Sequence, residues 1–169
     1  MENIPHRKTI NTLYILLILS TVLGFVPNGT AFLGSVALWF TVLIAAYVYR
    51  AKDEEGGLLY NHMTYLIGTV WIGTTFIMIA SLAGGYWIWT QGDSSAFDAL
   101  TARLDAGAMP DEDMIMNTMT SYMLANKSLI MKASLVTVVP AILYFVYRIG
   151  NGFGRACKGY RIANPKSWL

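Results

Sequence analysis

Basic side chains separated by glycines fill the end of the chain, at residues 148–169, and their chemistry suits phosphate binding. Cations beside a membrane attract anionic lipid head groups, at about 1 kcal/mol for each Lys or Arg. Tryptophan is typical of the membrane–water interface. The spacing therefore predicts that this segment binds anionic lipid head groups or a partner protein through Arg148, Arg155, Lys158, Arg161 and Trp168.

A second polar group, His62 with Tyr65, lies in "YNHMTYLIGTVWIG", where a long apolar stretch begins. Histidine can bind a metal or change its charge near neutral pH. A metal site needs several ligands, however, and the only other histidine of the sequence is His6. The residues therefore predict a capping or hydrogen-bonding role at the entrance to this helix, and no metal site.

Five methionines between residues 109 and 123 form the third candidate group. Thioethers are soft ligands, so Met116, Met119 and Met123 could coordinate Cu(I). No His or Cys accompanies them in this segment, and methionine also fills irregular apolar gaps. Copper handling is therefore an alternative hypothesis and not the main one.

The sequence contains none of the residue patterns typical of catalytic centres. A Ser-His-Asp arrangement, paired catalytic carboxylates, a phosphate-binding loop and a dinucleotide fingerprint are all missing. The lone Cys157 excludes an intramolecular disulfide framework. We therefore expect no enzymatic activity, no cofactor and no nucleic-acid partner.

The composition places these residues on membrane-spanning elements. Hydrophobic residues make up 55% of the 169 residues and charged residues 13%, which is typical of a membrane protein. Four apolar stretches, at about residues 10–26, 30–49, 63–89 and 129–147, each approach the roughly 20 residues of a spanning helix. We read the first as a retained helix, not a cleaved signal peptide. The predicted fold is an all-α polytopic membrane protein, a single transmembrane domain with four transmembrane helices.

The connections between the four stretches differ in length and character. "PNGT" alone separates the first two, so its turn residues predict a tight antiparallel hairpin. The loop at about residues 90–128 is long enough for helices of its own. Asp93, Ser94 or Ser95 can cap a first helix, and Pro110 with the acidic residues after it can open a second. This helical outer loop would cap the bundle or lie on the membrane surface.

Lysine and arginine residues predict the orientation in the membrane. Nine of the 12 flank the same side of the four predicted spans, and cytoplasmic loops are enriched in such residues. We therefore expect a multi-pass protein of a bacterial inner membrane with both termini in the cytoplasm, and residues 148–169 as a basic tail. The nine are Arg7, Lys8, Arg50, Lys52, Arg148, Arg155, Lys158, Arg161 and Lys166.

Two segments, "NHMTYLIGTVWIG" and the closing "VYRIGNGFGRACKGYRIANPKSWL", carry a family resemblance. Together they resemble a family of small four-helix bacterial inner-membrane proteins of unknown function. That family is distantly similar to the four-helix subunit of the chloroplast inner-envelope import translocon and to magnetosome membrane proteins. The resemblance implies a fold and a compartment, and it implies no reaction.

Three functions are compatible with these features. The first is a noncatalytic scaffold or accessory subunit beside a larger membrane complex, with glycines in the third span allowing close helix contacts. The second is a conduit for a small solute or a polypeptide, which needs a polar path. Its hydroxyls would have to face one another across a wet interior: Thr69, Thr74, Thr75, Ser81, Ser134 and Thr137. The third is periplasmic metal handling by the methionine-rich loop.

Overall fold

The computed structural model describes residues 6–107 and 109–168, and all regular structure in these ranges is helical. The chain divides into two compact units, Met1–Thr75 with Leu143–Leu169, and Phe76–Ile142. This confirms the all-α fold class. The six helices are α1 (Arg7–Gly24), α2 (Gly29–Lys52), α3 (Leu58–Gln91), α4 (Ser95–Asp105), α5 (Glu112–Ala125) and α6 (Lys127–Lys158).

Three helices, α2, α3 and α6, are long and apolar enough to cross a membrane. Helix α1 is not among these three, and its first turn carries Arg7 and Lys8. Helix α3 has 34 residues, which corresponds to about 51 Å at 1.5 Å per residue, against about 30 Å for a bilayer core. The ends of α3 therefore extend beyond what a hydrocarbon layer covers, so polar residues can occupy its first turns.

The predicted hairpin of the first two helices is confirmed, since α1 packs against α2. The Asn28 side chain caps α2 by accepting hydrogen bonds from the backbone N–H groups of Thr30 and Ala31, at 2.9 and 3.1 Å. Farther from the turn, Ser20 and Ser35 each donate a hydroxyl proton to the other's backbone carbonyl, at 2.9 and 2.8 Å. These reciprocal bonds fix the register of the two helices.

In the first unit, glycine allows α3 and α6 to approach closely. A methyl group added at Gly73 would overlap the ring of Phe145, so only a residue without a side chain fits there. The apolar core of this unit also includes Ile10, Leu17 and Leu66, which are all buried. The close glycine contact expected for the third span therefore occurs inside the protein at this position.

The loop predicted at about residues 90–128 contains the two short helices that the sequence predicts, α4 and α5. These helices pack against each other through Phe97 and Tyr122. The carboxylate of Asp111 caps α5 by accepting from the N–H of Met114, at 2.7 Å. Asn126, which precedes α6, accepts from the N–H of Asp93 at 2.7 Å and donates to its carbonyl at 3.0 Å. The segment is thus closed at its base by one buried amide side chain.

Candidate functional site

A glycine at the end of α6 turns the basic tail back toward α3. Gly159 has φ of 72°, a left-handed conformation that side chains disfavour. Its N–H bonds to the Ala156 carbonyl at 3.0 Å, and the N–H of Tyr160 bonds to the Arg155 carbonyl at 2.9 Å. This is the Schellman pattern of helix termination. The chain after Lys158 therefore leaves the helix in a defined direction.

Two adjacent polar residues of α3 hold the returning tail by its backbone. The Asn61 side chain donates to the carbonyl of Ile162 at 2.9 Å and accepts from its N–H at 2.8 Å. His62 Nε2 lies 3.0 Å from the Tyr160 carbonyl oxygen, and His62 Nδ1 lies 3.3 Å from Tyr14 Oη. Because a carbonyl can only accept, Nε2 carries a proton. Both nitrogens of His62 are therefore engaged, which leaves neither for a metal.

Arg148 lies inside the protein, with only 1% of its surface exposed. Its Nε donates to Thr69 Oγ1 at 3.1 Å, and its Nη1 donates to the Ser167 carbonyl at 2.7 Å and to Tyr144 Oη at 3.2 Å. The guanidinium also stacks on Tyr65, with Cζ 4.4 Å from the ring centroid. Tyr65 Oη donates back to the Arg148 carbonyl at 3.2 Å. One arginine thus joins α3, α6 and the end of the tail.

None of these partners of Arg148 is a carboxylate, and one nitrogen has no hydrogen-bond partner within residues 6–107 and 109–168. That nitrogen, Nη2, is buried and lies beside Gly68, where an added Cβ would be 3.8 Å from it. The positive charge of Arg148 is therefore solvated by neutral oxygens and by an aromatic face. An arrangement of this kind holds a cation at lower cost than an apolar site would.

We call this set the tail-docking cluster. Its side chains come from α1, α3 and α6, and nearly all of its bonds to the tail are made to backbone atoms. Its members are Tyr14, Asn61, His62, Tyr65, Thr69, Tyr144 and Arg148, together with the backbone of Tyr160, Ile162, Ser167 and Trp168.

The predicted head-group and partner-binding residues separate into two groups. Arg155, Lys158, Arg161 and Trp168 are exposed, as a binding role requires. Arg148 differs from this expectation, because its guanidinium is buried among tail carbonyls and hydroxyls. Arg155 and Lys158 are exposed at the end of α6, whereas the docked tail fixes its backbone inward and presents Arg161 and Trp168 outward.

The hydroxyls expected to line a polar path differ in their burial and in their hydrogen-bond partners. Thr69 is buried and bonds to the Tyr65 carbonyl of its own helix at 2.8 Å, whereas Thr74, in the same unit, is exposed. Ser81 is exposed as well, and Thr137 bonds to the Ala133 carbonyl one turn earlier at 2.9 Å. Bonds of this kind satisfy each hydroxyl locally. The conduit hypothesis stays a prediction.

Four of the five methionines between residues 109 and 123 are exposed, and Met114 is half-buried. Met116, Met119 and Met123 have exposed fractions of 59%, 45% and 52%, and they follow one face of α5. Within residues 6–107 and 109–168, no group of three or more His, Cys, Asp or Glu side chains could hold a metal ion. An apolar thioether face on a short helix suits contact with lipid or protein better than it suits an enclosed copper site.

A steric prediction tests the packing around the tail-docking cluster. Gly152 lies against the buried Tyr14 ring, where an added Cβ would be only 2.7 Å from Cε1. We expect Gly152→Ala to lower the free energy of unfolding by about 1 to 3 kcal/mol through overpacking. Gly154→Ala is the matched control, because nothing lies within 4 Å of its Cβ position. Its expected effect has the opposite sign, about 0.5 to 1 kcal/mol of stabilisation from helix propensity.

Thermal unfolding of both variants in the same mild detergent measures this difference. Equal unfolding temperatures for Gly152→Ala and Gly154→Ala would contradict the close contact between Gly152 and Tyr14.

Sequence reasoning missed several members of the cluster. Tyr14 and Thr69 lie in apolar stretches and give no local signal, since hydroxyl side chains are common in membrane helices. Asn61 offered a signal, because an amide at the start of an apolar helix needs a partner for each of its polar atoms when it is buried. Its partner, Ile162, lies 101 residues away along the chain.

Comparison with known proteins finds no relative of this chain: no family model matches its sequence, and neither a curated protein nor a solved structure matches it.

Proposed function

We propose that this chain is a noncatalytic scaffold or accessory subunit of a membrane complex, anchored in a bacterial inner membrane by four helices. The observation that carries the proposal is the apolar exposure of its long helices. Leu33 and Leu82 are each 68% exposed. In the most apolar 18-residue stretch of α2, and likewise of α6, only 17% is buried inside the protein. Such surfaces need a cover, which lipid and a partner protein both provide.

Helix α1 is the proposed fourth crossing. Its buried face, including Ile10, Leu13 and Leu17, packs into the core of the first unit, and it pairs with α2 in a hairpin. Ile15, Val22 and Phe25 are exposed on its other side. A helix joined to a spanning partner by a short turn, with apolar residues facing outward, is suited to cross the bilayer beside it.

The positions of cations within the first unit support the proposed orientation. Arg7, at the start of α1, donates a hydrogen bond to the carbonyl of Cys157, near the end of α6. Arg161 of the tail lies beside Gly56, in the connection between α2 and α3. The three basic segments of the sequence thus gather at one end of this unit. The positive-inside rule assigns that end to the cytoplasm.

The docked tail suggests how a partner is bound. The tail-docking cluster fixes the backbone of the tail after Gly159, so the exposed Arg161 and Trp168 are presented on a preorganised surface beside Arg155 and Lys158 of α6. Preorganisation lowers the entropic cost of binding, and tryptophan with arginine is typical of interface anchors. Anionic lipid head groups and a membrane-protein partner are the proposed ligands of this surface.

Crosslinking in native membranes tests the scaffold proposal. A photoreactive residue replaces Leu33 or Leu82 on the exposed faces, and the buried Val42 serves as the control position. We expect the exposed positions to give protein adducts of discrete mass, and Val42 to give none. Adducts with lipid alone at both exposed positions would count against a protein partner.

Cysteine labelling in intact cells tests the orientation. Cys157 should resist a membrane-impermeant maleimide until the cells are permeabilised, because it lies at the proposed cytoplasmic end. A Cys157→Ser chain carrying Ser95→Cys, at the exposed start of α4, should react without permeabilisation. Labelling of Cys157 in intact cells would reverse the proposed orientation.

A further inference from the structure

A groove on the first unit lies between the start of α3 and the docked tail. It has a volume of about 400 Å³, and its walls include Tyr60 and Thr64 on one side and the tail residues Arg161 and Lys166 on the other. Glu55 also lies at its edge. With two cationic side chains and one carboxylate, the lining carries a net positive charge. The groove is large enough for a head group and not only for a single ion.

Polar groups without a partner lie behind this groove. Thr64 lines it and is only 7% exposed, and its hydroxyl has no hydrogen-bond partner among the residues that the structure describes. One helical turn later, the unpaired Arg148 Nη2 lies 3.8 Å from the position of a Gly68 Cβ. The carbonyl of Pro165, a residue that also lines the groove, is equally close to that position. Buried polar groups without partners are costly, so their persistence at one site indicates a ligand.

We propose that this groove binds a phosphate-bearing head group. A phosphate offers several acceptor oxygens for the Arg161 and Lys166 cations, and charge-assisted hydrogen bonds of this kind are the strong ones. Threonine in a helix adopts either of two χ1 rotamers, so the Thr64 hydroxyl can turn toward a bound oxygen. The Tyr60 side chain supplies a further hydroxyl at the wall.

The source of the phosphate is either an anionic phospholipid or a soluble phosphate ester. The lipid source rests on the membrane placement proposed above, whereas the groove and its chemistry do not depend on it. Two probes separate the sources: short-chain phosphatidylglycerol and sn-glycerol 1-phosphate. Titration calorimetry of the full chain in mild detergent measures the affinity for each, with short-chain diacylglycerol as the phosphate-free reference lipid.

Two variants test the groove without relying on diffuse attraction between charges. Thr64→Val keeps the shape and the net charge but removes the unpaired hydroxyl, so we expect about tenfold weaker binding of the phosphate probe. The control is Thr41→Val, the same change on the exposed surface of α2. Lys166→Gln removes a cation that lines the groove, whereas Lys158→Gln removes an exposed tail cation outside its lining.

The outcomes separate as follows. Weaker binding in Thr64→Val and Lys166→Gln, with both controls within twofold of the natural chain, supports the site. Preference for phosphatidylglycerol identifies a lipid source, and equal or better binding of glycerol phosphate identifies a soluble one. The proposal is overturned if neither phosphate probe binds, or if each variant equals its control. If Thr64→Val does not fold, the comparison of Lys166→Gln with Lys158→Gln decides alone.

These results are independent of the search for a protein partner. Phosphate binding without protein crosslinks removes the scaffold proposal and leaves the groove. Protein crosslinks without phosphate binding remove the groove proposal and leave the scaffold proposal.

Discussion

Arg148→Ala is expected to lower the free energy of unfolding by about 3 to 5 kcal/mol, because the change removes charge-assisted hydrogen bonds and leaves a cavity. The hydroxyl of Thr69 and the carbonyl of Ser167 would each lose the guanidinium as a partner. The stacking on Tyr65 would disappear with them. Thermal or chemical unfolding in mild detergent measures the loss.

Two further variants identify the cause of the loss of stability expected for Arg148→Ala. Arg155→Ala removes an exposed arginine from the same helix, together with its solvent-exposed hydrogen bond to the Arg161 carbonyl at 3.2 Å, and should change stability by no more than about 0.5 kcal/mol. Arg148→Lys retains the charge but not the planar group that bonds in several directions, so it should fall between the two alanine variants. If Arg148→Ala unfolds like Arg155→Ala, the buried arginine does not hold the tail.

Asn61→Asp is expected to release the tail while leaving the helices in place. A carboxylate can still accept from the N–H of Ile162, but it cannot donate to the Ile162 carbonyl, and it brings a negative charge into a buried position. Loss of the bond to the Ile162 carbonyl, which leaves that buried oxygen unsatisfied, costs about 2 kcal/mol and so raises the population of the detached tail about 30-fold.

Limited proteolysis reports this opening directly. Trypsin cleaves after Arg161 and Lys166, which lie in the docked segment, and cleavage of such a segment follows the population of its open form. The rate at these two sites should therefore rise by about the same 30-fold factor. Asn117→Asp, at an exposed position of α5, makes the same chemical change without touching the tail. Equal cleavage rates in the two variants would show that Asn61 does not hold the tail.

The proposed role also predicts a functional effect of releasing the tail. If the exposed tail residues bind a partner or a head group, then a released tail presents the same side chains without a fixed geometry. Binding should weaken in Asn61→Asp even though every exposed cation remains, because the segment must be ordered again on binding. A purely electrostatic attraction to the membrane would be almost unchanged.

Local sequence patterns determined much of the secondary structure. The turn residues before Gly29 and the acidic start of α5 predicted helix boundaries that the structure confirms, since capping depends on residues within one turn of the chain. The apolar stretches predicted the long helices for the same local reason. The exposure of Arg155, Lys158 and Arg161 also followed from their place in a polar segment.

The tertiary structure alone decided which polar residues work together. Arg148 belongs by sequence to the same basic run as Arg155, yet it is buried against Thr69 of another helix. The pairing of Asn61 with Ile162 joins residues 101 positions apart. Such pairs depend on the rotation and register of helices packed side by side, and on the turn at Gly159. Periodicity shows which residues are apolar, but it does not specify which distant backbone atoms will lie within hydrogen-bonding distance.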